Sequence, residues 1–257
     1  MKHTGFSGSY SFLFRELVSR DFKKRYHHSI LGVLWSVISP LCTFLVMRLI
    51  FTHFFGRDTP HYSTYLFSGI IVLSYFTEAT KQCMSVYLSN RAVIEKINLP
   101  KYLFPLSKNT ASFINFIMTV FVFLILGAFD GIEFGWHMLS LIYPILCMAV
   151  ICVGVGLVLS VIYVYFRDFT YIYDVFLIFV RYASAVFYDI TKLPQAYHSL
   201  FLFNPVYVAI RYFRNVVIDQ QIPSFRYHVL LGAYALIALS IGTLVYRKNQ
   251  EKLIYNF

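Results

Sequence analysis

The chain has 257 residues, of which 58% are hydrophobic and 13% charged, with a mean hydropathy of +0.64. Soluble domains average about 45–50% apolar and about 25% charged residues, so this composition excludes an ordinary soluble globular fold. The formal charge is +10, from 22 Lys and Arg against 12 Asp and Glu; with no soluble domain left to hold a basic groove, nucleic-acid binding is excluded, and the placement of the cations matters more than their sum.

The polar stretch at Met1–Tyr10 carries no expectation of a cleavable signal peptide. From residue 10 to 28, Phe14, Leu17, Val18, Phe22 and Tyr26 recur at helical spacing, while Arg15, Glu16, Ser19, Arg20, Lys23, Lys24 and His27 occupy the other face. This pattern predicts a basic amphipathic helix lying in the membrane interface. Its cations, with Arg25 beside Tyr26, fit an anchor on anionic lipid or a recruitment site for an anionic head group such as a pyrophosphate.

A spanning helix needs about 20 mainly apolar residues, because backbone polar groups in lipid must bond within the segment. Stretches free of Asp, Glu, Lys and Arg run for 22 residues after Arg25, 19 after Asp58, 21 after Lys108, 33 after Glu133 and 20 after Arg226. They predict spans over 30–55, 62–87, 106–128, 138–163 and 228–246. A sixth is expected over 169–188, although it carries Asp174 and Arg181, on the condition that the arginine faces protein or water.

Between the second and third spans, Ser89 or Asn90 caps a short helix over 89–100 that ends before Pro100. Its mixed character suits either a solvated connector or a docking element for a cytoplasmic partner. The charge-free run after Lys192 contains Pro194 and Pro205, and Asn204-Pro205 is a strong turn and helix-start signal. Two short helices over 193–217 are therefore expected, re-entrant or at the outer surface, with Val206, Ala209, Ile210, Phe213 and Val217 as an apolar face.

With six spans, 15 of the 22 cations fall on one side, which the positive-inside rule makes cytoplasmic. The predicted fold class is an all-α integral membrane protein of the cytoplasmic membrane, multi-pass, with both termini cytoplasmic. Arg48 and Arg181 lie within spans, where an arginine costs about 2.5–3.5 kcal/mol on insertion scales. Snorkelling accounts for Arg48 near a helix end, which leaves Arg181 as the stronger functional candidate. The 21 tyrosines and 27 phenylalanines suit interfacial belts, and inward-facing tyrosines also suit stacking on sugar rings.

Cys42, Cys83, Cys147 and Cys152 sit in apolar stretches and predict free thiols rather than a metal site or disulfides. No P-loop, Gly-x-Ser-x-Gly or His-Glu-x-x-His string occurs. His53 and Asp58 have a His-x4-Asp spacing too common to signify catalysis. Neither a catalytic nor a cofactor or metal site is expected in this chain.

The order of these features resembles a known family. Arg25-Tyr26-His27-His28-Ser29-Ile30-Leu31-Gly32-Val33-Leu34-Trp35 through Pro40 is similar to the RYxxSxLGxLWxxxxP portal motif of membrane subunits of ABC-2 type exporters for O antigen, teichoic acid and capsule. It departs from the commonest residues at His27-His28 and Ser39. Asn90–Pro105, Tyr165-Phe166-Arg167-Asp168, and Leu193-Pro194 through Asn204-Pro205 match in the same order, so the likeness covers nearly the whole chain as one transmembrane domain. The resemblance implies that Arg15, Arg20, Lys23, Lys24, Arg25 and Tyr26 flank lateral access for a lipid-linked glycan. It implies a coupling helix with Asn90, Arg91, Ile94, Glu95, Lys96 and Pro100, and a smaller cytoplasmic contact at Arg167-Asp168. Pro194, Asn204 and Pro205 would belong to paired gate helices, and Trp35, Arg48, Arg181, Tyr182 and Tyr188 to the channel. The family works as a homodimer driven by two copies of a separate cytoplasmic ATPase, with ATP and Mg on that partner. The function so implied is export of a lipid-linked polysaccharide, O antigen first, with teichoic acid, capsule or a small lipid or drug as alternative cargo. A membrane-embedded glycosyl- or acyltransferase is the reading from another class, disfavoured because no acid and base are paired.

Overall fold

The computed structural model describes residues 6–26, 32–54, 61–96, 99–188, 190 and 194–250. Helices in chain order are α1 (Phe6–Tyr26), α2 (Trp35–Phe54), α3 (Tyr62–Met84), α4 (Val86–Ser89), α5 (Arg91–Lys96), α6 (Leu103–Phe129), α7 (Ile142–Tyr165), α8 (Phe169–Ala183), α9 (Gln195–Phe201), α10 (Pro205–Val217) and α11 (Phe225–Asn249). Short 3-10 turns at Gly32–Leu34 and Trp136–Leu141 lead into α2 and α7. No strand occurs among the described residues.

The bundle has two distinct ends. At one, which we call basal, α1 and α5 share an apolar cluster with the close of α7 and α11 through Leu17, Ile94, Val164 and Tyr246. Lys101, just before α6, donates to the Gln250 carbonyl that follows α11. At the other, distal end, the start of α3 meets the end of α6, where Thr64 Oγ1 donates to Asp130 Oδ2 at 2.7 Å. There α7 and α10 also meet the start of α11 at His228, through Tyr143 and Tyr212, each at 2.7 Å.

Three helical stretches among the described residues are long and apolar enough to cross a bilayer: Leu103–Phe129, Trp136–Tyr165 and Phe225–Asn249. The expected segment 169–188 is shorter as a helix. Helix α8 has 15 residues, about 22 Å at 1.5 Å per residue, against about 30 Å of hydrocarbon. It ends where Ala185 enters the left-handed region at φ 47, a conformation that closes helices and that costs a residue with a Cβ.

Helices α7 and α11 make the most intimate crossing. A Cβ on Gly154 would stand 2.3 Å from the carbonyl carbon and oxygen of Ala238, and one on Gly242 would stand 2.4 Å from the Gly154 carbonyl oxygen. Only glycine lets the two backbones approach so closely, and dispersion between them replaces the missing side chains. Helix α10 forms the middle of the main core. Val206, Val208, Ala209, Ile210, Tyr212 and Phe213 are buried, so it is enclosed on nearly all sides rather than lying on one apolar face.

Candidate functional site

Helix α1 starts four residues before the predicted interface helix and is held to the bundle by more than lipid. Phe14, Leu17 and Asp21 lie on one stripe, and Leu17 and Asp21 are buried. The Asp21 carboxylate receives Arg20 Nη2 at 3.0 Å and Lys108 Nζ at 3.1 Å, with Ser107 Oγ at 3.4 Å. Arg20 Nη2 also donates to Asn90 Oδ1 at 2.7 Å. Arg20, expected to face head groups, is thus committed to α1, the α4–α5 junction and, through Asp21, α6. Arg15, Arg20, Lys23 and Lys24 are all exposed; the side chains of Arg25, Tyr26 and Arg48 lie outside the described ones.

The short helix predicted over 89–100 is α5, which begins directly after Asn90 and ends at Lys96, with the separate four-residue α4 ahead of it. Asn90 is buried, and its Nδ2 donates to the Val86 carbonyl at 2.8 Å. That bond reaches back over α4, while the Asn90 carbonyl accepts from the N–H groups of Val93 and Ile94 at the start of α5. Asn90 and Ile94 therefore face the bundle. The outward face carries Arg91, Glu95 and Lys96, with Arg91 Nε and Glu95 Oε1 paired at 2.6 Å. Pro100 is half-buried, and Arg167 and Asp168 are exposed at the α7–α8 junction on the same basal end.

A cavity of about 420 Å³ opens between α2, α3 and α6. Trp35, Ser39, Ser74, Tyr75, Glu78 and Asn115 are among its walls. Hydroxyls, an amide and the Glu78 carboxylate share these walls with Phe67, Ile70, Ile71 and Phe116, a mixed lining suited to a guest that is polar yet has flat apolar faces. Of the predicted channel residues, Trp35 lines this cavity. Arg181 and Tyr182 are exposed on the outer side of α8. Arg181 sits in the last turn of α8, where its charge complements the helix C-terminus. Tyr188 donates to the Tyr182 carbonyl at 2.7 Å and helps fold the chain back after α8.

At the distal end the arginine that the bundle encloses is Arg214, only 3% exposed. Its Nη1 donates to the Ala185 carbonyl at 2.9 Å and its Nη2 to the Val186 carbonyl at 3.0 Å. The guanidinium also lies 3.4 Å over the Tyr65 ring, and a Cβ at Gly69 would stand 3.1 Å from Nη2. Asn204 joins the same clamp: its Oδ1 caps the Val206 N–H at 3.0 Å, while Nδ2 donates to the Ala183 carbonyl at 3.1 Å and Ser184 Oγ at 2.9 Å. Pro205 follows as the first residue of α10, where its missing N–H costs nothing. The hairpin α9–α10 expected from Pro194, Asn204 and Pro205 thus grips the end of α8 and α3 together.

Asp21 and Arg214 had no site role in the sequence reading, yet each left a trace there. Asp21 follows Leu17 by four residues, and Arg214 lies four after Ile210 and three before Val217, so each charge falls on an apolar stripe.

The sequence profile of the ABC-2 type transporter family matches residues 13–218. The chain is similar to the O-antigen export system permease protein RfbA of Myxococcus xanthus, 24% identical over 245 residues that cover 95% of this chain and 94% of the relative. RfbA of Klebsiella pneumoniae is 22% identical over 238 residues, 90% of each chain. The polysialic acid transport protein KpsM of Escherichia coli is 20% identical over 241 residues, 93% of each. Taken with the helical bundle and its membrane-length helices, these matches show that the chain belongs to the ABC-2 type transporter family, as a membrane subunit of transport.

Proposed function

We propose that the chain is the permease of an ATP-driven exporter that moves a lipid-linked polysaccharide, O antigen first, across the cytoplasmic membrane. The observation that carries this reading is the cavity of mixed polar and aromatic lining between α2, α3 and α6, in a chain related along nearly its full length to O-antigen export permeases. Sugar rings stack on aromatic faces and exchange hydrogen bonds with hydroxyls and amides, and the exposed Trp35 ring, the Ser74 and Ser39 hydroxyls and the Asn115 amide stand in these walls. In this reading α2, α3, α6, α7, α8 and α11 are six crossings. The short α8 is completed by the backbone after Ala183, which the α10 clamp shields from lipid. The basal end, where α1 lies and α11 closes, faces the cytoplasm.

Two copies would enclose the conduit, and two copies of an ATPase would dock on the outward faces of α5 and the α7–α8 junction. ATP then acts through its different affinity for the two conformations of the complex. Charge reversal at Glu95 and Lys96 is expected to lower surface glycan by more than tenfold while leaving the melting temperature of the purified chain unchanged, because both side chains are exposed. Deleting the gene should leave lipid-linked glycan on the inner side of the membrane. A deletion strain with intact surface glycan and no accumulation would overturn the export reading. The similarity to KpsM favours capsule as the second cargo, and the identity of the accumulated glycan decides between the two.

A further inference from the structure

The distal end holds a second cavity, of about 380 Å³, with Arg211, Arg214 and Arg226 in its walls beside His198, Tyr207 and Tyr227. Arg214 forms the inner wall, already engaged by the carbonyls after α8. Arg211 projects from α10 one turn before Arg214 and is half-buried, with Asp219 Oδ2 4.0 Å from its Nη2. Arg226 is exposed and stands in the first turn of α11, a 25-residue helix with no acidic residue in that turn. A cation there adds to the positive end of the helix dipole instead of offsetting it. No carboxylate is among the described residues that line the cavity.

We infer that this cavity is a binding site for a phosphate group, held by Arg211 and Arg226 and presented at the distal surface. Two guanidinium forks on different helices reach a group from different directions. A tetrahedral phosphate or diphosphate has oxygens for both, whereas a carboxylate has two coplanar oxygens that one fork satisfies. Burial raises the Tyr207 phenol to about 12, Tyr227 adds to the rise, and Arg211 and Arg214 oppose it. Its hydroxyl is thus a neutral donor at ordinary pH. Only the siting of the cavity at the exit of the path rests on the export reading.

The test uses the full chain in phosphate-free maltoside micelles and inorganic pyrophosphate as the probe, followed by calorimetry. Saturable binding is expected, weakened about tenfold or more in Arg211→Gln and in Arg226→Gln. Arg226→Lys should fall between, because it keeps the charge and loses the fork. Arg247→Gln, at the basal end, should bind as the wild type does. Phosphatidylglycerol added to the micelles competes when the site takes lipid head groups; if pyrophosphate binding is undisturbed, the site takes phosphate carried by the cargo. Either result supports the phosphate site. Absence of saturable binding, retention of full affinity in the Arg211→Gln/Arg226→Gln double variant, or equal affinity for glucuronate would overturn it. None of these readouts depends on export, so a failure here is distinct from a failure of the transport reading.

Discussion

Arg214 carries the distal end because its planar fork meets the Ala185 and Val186 carbonyls in the irregular backbone that follows α8. Those carbonyls sit away from water, and an acceptor stripped of its donor there costs about 1–3 kcal/mol. Arg214→Lys retains the charge but not the fork, so it is expected to destabilise the chain by about 2–4 kcal/mol, read as a lower melting temperature in detergent. Asp21 is the basal counterpart. Its carboxylate is 2% exposed and Lys108 17%, so removing one partner strands a charge in a poorly solvated place. Asp21→Asn should cost about 3 kcal/mol, and Asp21→Asn with Lys108→Met should cost less than Asp21→Asn alone. A melting series in which the losses simply add would show that the pair is not coupled.

Among the elements, the α7–α11 crossing is the one most sensitive to volume. Gly154→Ala places a methyl where the Ala238 carbonyl already lies at 2.3 Å, and backbone cannot swing aside as a side chain can. The helices must separate, at a cost of about 1–3 kcal/mol, and thermal unfolding of the purified variant measures it. Hydrophobic patterning located this pair of helices well: α7 and α11 match the predicted spans to within a few residues. It did less well for α8, because Asp174 and Arg181 signalled an exception without saying where the helix stops. The stop depends on Asn204 and Arg214, which lie 20 to 30 residues later in the chain. The short helix within 89–100 was legible because Asn90 marks its start and Pro100 follows its end, whereas the four-residue α4 ahead of it carries no such signal.

Across the whole molecule, the cavity between α2, α3 and α6 is where transport should be most open to change without loss of fold. Ser74 is exposed within that recess, so Ser74→Leu fills space and removes a hydroxyl while leaving the core packing intact. Surface glycan is expected to fall more than tenfold with the melting temperature unchanged; an unaffected glycan level would place the path elsewhere. The amino-acid sequence alone determined the class: a low charge density and long uncharged runs are one-dimensional properties that the bilayer reads directly. It also determined the proline-broken hairpin and the basic face of α1, since helical periodicity and N-caps are local. What only the tertiary structure decided is which charges are interior. Asp21 and Arg214 became buried because distant segments, α6 in one case and the end of α8 in the other, bring the partners that make such burial affordable. Arg181, as polar on paper, stayed on the surface because its helix turns its outer side away from every such partner within the chain.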